Sequence, residues 1–202
     1  MTRRRSSSLF SVWILLLVGF LQGGPLQARP VVVLDPGHGG VDGGAYWGGV
    51  KEKNLTLQIA QRVESILRSR GYQTAMTRRS DRFMTLTSRA AVANGYRSAV
   101  LVSIHCNADP EREARGIEAF YAGNAGFTLA RCILSRLDRS TSTPNRGVKR
   151  KGLCVLSQAR GAAALVECGF MTSPAERQLL TTPGYQKKLA QAIADGITAS
   201  IR

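Results

Sequence analysis

Val31-Val32-Val33-Leu34-Asp35-Pro36-Gly37-His38 is a short β-branched run, bounded by Pro30 and Pro36, that leads into a glycine-rich loop from Gly37 to Gly49. A run of this length and composition predicts a buried strand, with chemistry placed in the loop at its carboxyl end. Leu55, Ile59, Val63, Ile66 and Leu67 then recur at helical spacing, and the pattern stops at Gly71, the residue type expected just past a helix end. Tyr72 to Met76 is a second expected strand. A polar stretch, Thr77 to Arg82, leads to a helix near Leu86 to Ala93, and Asn94-Gly95 ends it before the apolar run Ala99 to Ile104.

The alternation continues to the end of the chain. Ile117 to Tyr121, Leu153 to Leu156 and Ala162 to Val166 have the composition of strands, and Phe127 to Leu137 that of a helix. Ser173-Pro174-Ala175-Glu176 matches a capping box with proline at the first helical position, and Tyr185, Leu189, Ile193 and Ile197 space a closing amphipathic helix. The expected fold is therefore α/β: a single domain with a mostly parallel, twisted sheet of about six strands, flanked by helices on both faces. The segment from Ser140 to Gly152, with Pro144, Gly147 and four basic residues, is expected to be the longest mobile loop.

The amino terminus carries a different pattern. Arg3, Arg4 and Arg5 precede an apolar stretch from Leu9 to Phe20, and Leu26-Gln27-Ala28 resembles a small-residue cleavage site. The apolar stretch is shorter than the ~20 residues of a spanning helix. Residues 1–28 are expected to be a cleaved signal peptide and residues 29–202 the working domain. That places the protein outside the cytoplasm, in a periplasm or against a cell wall, with no stable membrane span after cleavage. The net charge is +15 and remains about +12 without the signal. A surplus of that size favours polyanions. No finger, helix-turn-helix or aromatic-interleaved basic stripe points to nucleic acid.

Three expected strands end in residues that bind metals or move protons: Val31 to Leu34 runs to His38, Ala99 to Ile104 to His105, and Ala162 to Val166 to Glu167. In an open α/β sheet ligands bind beyond the carboxyl ends of the strands, so parallel strands would bring the three together. His38 and His105 are the only histidines in the chain. Two histidines and one carboxylate form a hydrolytic zinc set that keeps a position for water. Spacing alone leaves Glu52, Asp35, Asp42 and Glu167 open as the carboxylate.

Four segments resemble a known family in order and approximate spacing. They are Val33-Leu34-Asp35-Pro36-Gly37-His38-Gly39-Gly40, Lys51-Glu52-Lys53-Asn54-Leu55, Val102-Ser103-Ile104-His105-Cys106-Asn107-Ala108 and Leu165-Val166-Glu167-Cys168-Gly169-Phe170. The family is that of the zinc-dependent N-acetylmuramoyl-L-alanine amidases, which include cell-separation, spore and phage-lysin enzymes. The resemblance implies zinc held by His38, Glu52 and His105, with Glu167 as the acid/base outside the metal shell. It implies hydrolysis of the amide between the lactyl group of N-acetylmuramic acid and the first L-alanine of the peptidoglycan stem, with zinc the sole cofactor. A monomer is expected. Asn107, Arg89 and Asn94 are candidates for substrate contacts or for support of the ligands, and each has an ordinary alternative as a cap or a solvated polar group.

Some members of that family carry an extra helix between the second histidine and the catalytic glutamate, which blocks the zinc until a partner displaces it. Only 61 residues separate His105 from Glu167, so a minimal, unregulated catalytic domain is expected. Two other functions share these residues: a zinc peptidase cutting within the stem, and a peptidoglycan-binding protein of the same fold without turnover. Cys106, Cys132, Cys154 and Cys168 are either buried thiols or partners in disulfides, Cys106 with Cys168 being the pair that adjacent strands would permit.

Overall fold

The computed structural model of the chain describes residues 29–201. The expected signal, residues 1–28, lies outside the described residues. No helix among the described residues is long and apolar enough to cross a membrane.

The sheet is built from β1 (Val31–Pro36), β4 (Thr74–Met76), β5 (Ala99–Asn107), β6 (Ile117–Ala122), β7 (Asn145–Arg150) and β8 (Ala162–Phe170). Their order is β4-β1-β5-β8-β6-β7. β4, β1, β5 and β8 run parallel; β6 lies antiparallel to β8, and β7 follows β6 in parallel. The sheet thus has six strands, the number expected, four in one direction and two returning at one edge. A two-stranded hairpin, β2 (Tyr46–Trp47) and β3 (Val50–Lys51), folds out of the glycine-rich loop.

Strand β1 is apolar on both sides because both are covered. Val32, Val33 and Leu34 are fully buried. One face, through Val32, Leu34, Val102, Ile104 and Val166, packs against three 18-residue helices, α1 (Glu52–Ser69), α3 (Gly123–Ser140) and α6 (Pro183–Ser200). Their inward residues include Ile59, Val63 and Leu67 on α1, Ile133 on α3 and Ile193 on α6. A short helix, α5 (Pro174–Thr181), leads into α6 and adds Leu180, with Ser173 capping the Glu176 amide as the sequence predicts.

The opposite face carries Val33, Leu101, Ala163, Leu165 and Phe120, and only two short helices cover it, α2 (Leu86–Asn94) and α4 (Cys154–Ser157). Side chains alternate along a strand, so the same face continues through Asp35, Ser103, His105, Glu167 and Glu118. Helix α2 reaches as far as Asp35, through Arg89. Beyond that point the carboxyl end of this face is left for the site.

Two expectations are corrected. Leu153 to Leu156 is not a strand but the start of α4, with Val155 and Leu156 buried against Phe120 and Leu165. A four-residue apolar run carries no period that separates strand from helix. The supposed mobile loop from Ser140 to Gly152 contains β7, the edge strand. Its basic residues hid it, because an edge strand with one partner tolerates charge that an inner strand does not.

Candidate metal centre and active site

His38 lies two residues past β1, His105 lies near the end of β5, and Glu52 is the first residue of α1. One donor atom from each of the three lies within 4.8 Å of the others. Glu52 faces both rings: Oε2 is 3.1 Å from His38 Nε2 and Oε1 is 3.0 Å from His105 Nδ1. The ring centroids are 4.9 Å apart, inclined at 78°. Glu52 accepts further hydrogen bonds from the amides of Ala45, at 2.9 Å, and Cys106, at 3.0 Å.

These contacts set the charges. Burial pushes the Glu52 carboxyl up, but its hydrogen bonds with His105 and His38 outweigh that and hold it well below the ordinary carboxylate range. Burial disfavours the charged form of both histidines, yet Glu52 raises the pKa of each, with Asp42 adding to the effect on His38 and Glu167 to that on His105. The cluster therefore attracts positive charge, as protons or as a cation.

The first histidine is held from behind. His38 Nδ1 lies 2.9 Å from both carboxylate oxygens of Asp42, which turns Nε2 toward Glu52. The backbone of His38 has φ of 60°, a left-handed conformation uncommon outside glycine. Arg89, which is buried, secures it by donating from Nη2 to the His38 carbonyl at 2.7 Å and from Nη1 to the Pro36 carbonyl at 2.7 Å and to Asp35 at 2.8 Å. Asp35 also accepts from Thr77 at 2.6 Å and Ser103 at 2.7 Å, so it has no role in the metal group. Arg78 and Thr56 both donate to the Gly37 carbonyl, each at 2.8 Å. At Gly37 a Cβ would stand 2.3 Å from the His105 ring, so only glycine lets the ring lie on the backbone there.

Glu167 stands outside this group. It is the direct partner of His105 across β5 and β8, and of Glu118 across β6 and β8, so the three occupy one row on the open face. Its Oε2 is buried and has no hydrogen-bond partner among the described residues. Burial raises its pKa to about 7; His105 opposes the rise, and Glu52 and Glu118 add to it. Such a carboxyl exchanges protons near neutrality.

Of the weaker candidates, Asn107 lies beside the row, its Nδ2 donating to Glu118 at 2.6 Å and its Oδ1 accepting from the Ala108 amide. Arg89 is enclosed by the protein's own acceptors, which makes it a support for His38 rather than a substrate contact. Asn94 is on the other side of the fold, bound to the Gln158 carbonyl and the Arg160 amide in the turn before β8, and takes no part in the site. Sequence reasoning missed Arg78, Thr56 and Glu118. Only Glu118 left a trace, as an acid within an otherwise apolar strand.

Cys106 and Cys168 are buried on adjacent strands, and all four cysteines are free thiols. The connection from His105 to Glu167 consists of β6, α3, β7 and α4, and α3 packs on the face away from the site.

Residues 32–199 match the protein family described as N-acetylmuramoyl-L-alanine amidase. The chain is 35% identical over 190 residues to the germination-specific N-acetylmuramoyl-L-alanine amidase of Bacillus subtilis, a match that covers 86% of this chain and 80% of that protein. Among solved structures, an N-acetylmuramoyl-L-alanine amidase of Nostoc punctiforme superposes with a TM-score of 0.81 at 35% identity, over 85% of this chain and 97% of that one. The catalytic domain of an N-acetylmuramoyl-L-alanine amidase from Paenibacillus polymyxa var. colistinus superposes with a TM-score of 0.82 at 32% identity, over 86% of this chain and all of that one.

Proposed function

The chain belongs to the N-acetylmuramoyl-L-alanine amidase family, and from that membership we propose that His38, Glu52 and His105 hold a zinc ion while Glu167 moves the proton. The protein is an amidase of peptidoglycan, and it acts outside the cytoplasm. Residues 1–28 are its export signal in this proposal, removed before Arg29.

The donor set fits the metal. Two imidazoles and one carboxylate converge, backed by Asp42 and by backbone amides, which is the makeup of a hydrolytic zinc site with a position left for water. Zinc there would act as a Lewis acid, lowering the pKa of water toward ~7 and polarising the amide carbonyl. The rest is the work of the chain. Glu52 and the two rings keep the site rigid; Glu167, one strand away, accepts the proton of the attacking water. It then returns that proton to the nitrogen of the departing L-alanine, so the C–N bond breaks to leave a lactyl carboxylate and a free amine.

The observation that carries this division of roles is the unpartnered Glu167 carboxyl directly opposite His105. A metal ligand would converge with the other three, and a structural acid would have donors. Digestion of purified sacculi, with metal content measured on the same sample, tests the proposal. One zinc per chain and released peptides beginning with L-alanine are expected; cuts within the stem would assign the protein to the peptidases instead.

A further inference from the structure

The row that starts at His105 does not stop at Glu167. It passes to Glu118 on β6 and reaches the edge strand β7, where Arg146, Lys149, Arg150 and, just past the strand, Lys151 border a groove of about 460 Å³ floored by Phe120 and Phe170. The cations are laid out on a fixed surface. The Arg146 guanidinium sits 5.2 Å from the centre of the Phe170 ring, and the Lys151 ammonium 5.0 Å from that of Phe120. Lys149 also lies over Phe120 and is paired with the buried Glu118.

The acids of the groove do not cancel this charge. Glu118 is taken up by Lys149 and Asn107, with Arg146 farther off at 3.7 Å. Asp109 accepts from the amides of Glu111, Glu113 and Ala114. Lys151 has no acidic partner among the described residues, and Arg146 has only its distant share of Glu118. Arg146, Arg150 and Lys151 thus bring positive charge to the open groove, and Arg146 and Lys151 are the two held in place over aromatic rings.

We infer that Arg146 and Lys151 form a subsite for a carboxylate of the stem peptide, and so set which stems the enzyme prefers; this rests on the amidase function above. Neighbouring strands are ~4.8 Å apart, so the groove opens beside Glu118, next to Glu167, and its cations at the β7 edge stand about 10–15 Å from a bond held between His105 and Glu167. An extended peptide advances about 3.5 Å per residue, so about the third and fourth stem residues arrive there. The glycan arm is uncharged beyond the amide that is cut, whereas the stem carries carboxylates along its length. Charge therefore selects the peptide arm, and distance admits it.

The test compares a soluble muropeptide bearing free stem carboxylates with the same molecule converted to carboxamides, using zinc-loaded wild-type protein, Arg146→Gln, Lys151→Gln and the double variant. Both side chains are on the surface, so folding should be retained. The double variant is expected to raise KM for the free-carboxylate substrate by ~10-fold or more, the loss of charge-assisted hydrogen bonds, with kcat within about twofold. It should leave KM for the carboxamide unchanged. Equal losses on the two substrates, or none, would overturn the subsite. So would variants that treat both muropeptides like wild type yet lose affinity for whole sacculi, since the cations would then serve a wall polyanion. If wild type releases peptide from neither substrate, the amidase function fails first and this inference with it, a result distinct from turnover without charge preference.

Discussion

His105 and Glu167 are paired residue for residue across β5 and β8, so a ring that faces Glu52 and a carboxyl whose Oε2 has no hydrogen-bond partner among the described residues leave the same side of the sheet side by side. Adjacent parallel strands keep the two a fixed distance apart. Neither side chain needs a loop to place it.

Replacing Glu167 with Gln keeps the shape and removes the proton exchange. Turnover of sacculi is expected to fall by about 10²–10⁴-fold, while zinc content measured by atomic absorption stays at the wild-type level. Loss of zinc in this variant would make Glu167 a ligand.

The same residue links stability to pH in the metal-free protein. Its folded pKa of about 7 lies above the ~4.3 of an unfolded glutamate. Between those values the unfolded chain has released a proton that the folded chain still holds, so stability falls as pH rises through that window and levels off above it. Urea denaturation after chelation should show wild type losing up to about 3 kcal/mol relative to Glu167→Gln between pH 4 and pH 8. Parallel pH dependences of the two proteins would contradict the elevated pKa.

Arg89 serves His38 through its carbonyl and Asp35 through its carboxylate. Arg89→Met leaves the buried Asp35 without its counter-charge, held only by Thr77 and Ser103, a loss of about 3–5 kcal/mol in chemical denaturation. Arg89→Lys keeps the charge but not the planar fork, and zinc should bind about 10–100-fold more weakly, read by competition with a chelating dye. Unchanged zinc affinity in the lysine variant would mean that the His38 loop holds itself.

Gly37→Ala introduces a Cβ 2.3 Å from the His105 ring. The ring must tilt away, and zinc affinity should fall at least ~10-fold, comparable to removing a support of the site. The far-ultraviolet circular dichroism spectrum should not change, because the residue lies past the end of β1.

Much of this protein is legible in its sequence because local chemistry decides it. The β-branched run Val31 to Leu34 has few places to go except an inner strand, and Leu55, Ile59, Val63 and Leu67 have one period, that of a buried helical stripe. The two histidines stand out by scarcity and by following such strands. What defeated local reading was context. Val155 and Leu156 bury equally well as strand or helix, and the packing under Phe120 selects helix. β7 is a strand only because β6 lies beside it.

Spacing alone left the choice among four acids open, since Asp35, Asp42, Glu52 and Glu167 differ little as residues, and only the family resemblance pointed to Glu52 and Glu167. Tertiary structure separates them by their neighbours. Asp35 is bound by Arg89, Thr77 and Ser103; Asp42 turns the His38 ring; Glu52 sits between two imidazoles; Glu167 is left without a donor. An acid's role depends on the groups within about 4 Å of it, and those come from strands and helices far apart in the chain. The sequence by itself determined the sheet, the helices and the identity of the reactive residues. Only the fold assigned each carboxylate its partners, because those partners come from strands and helices that the chain brings together from far apart.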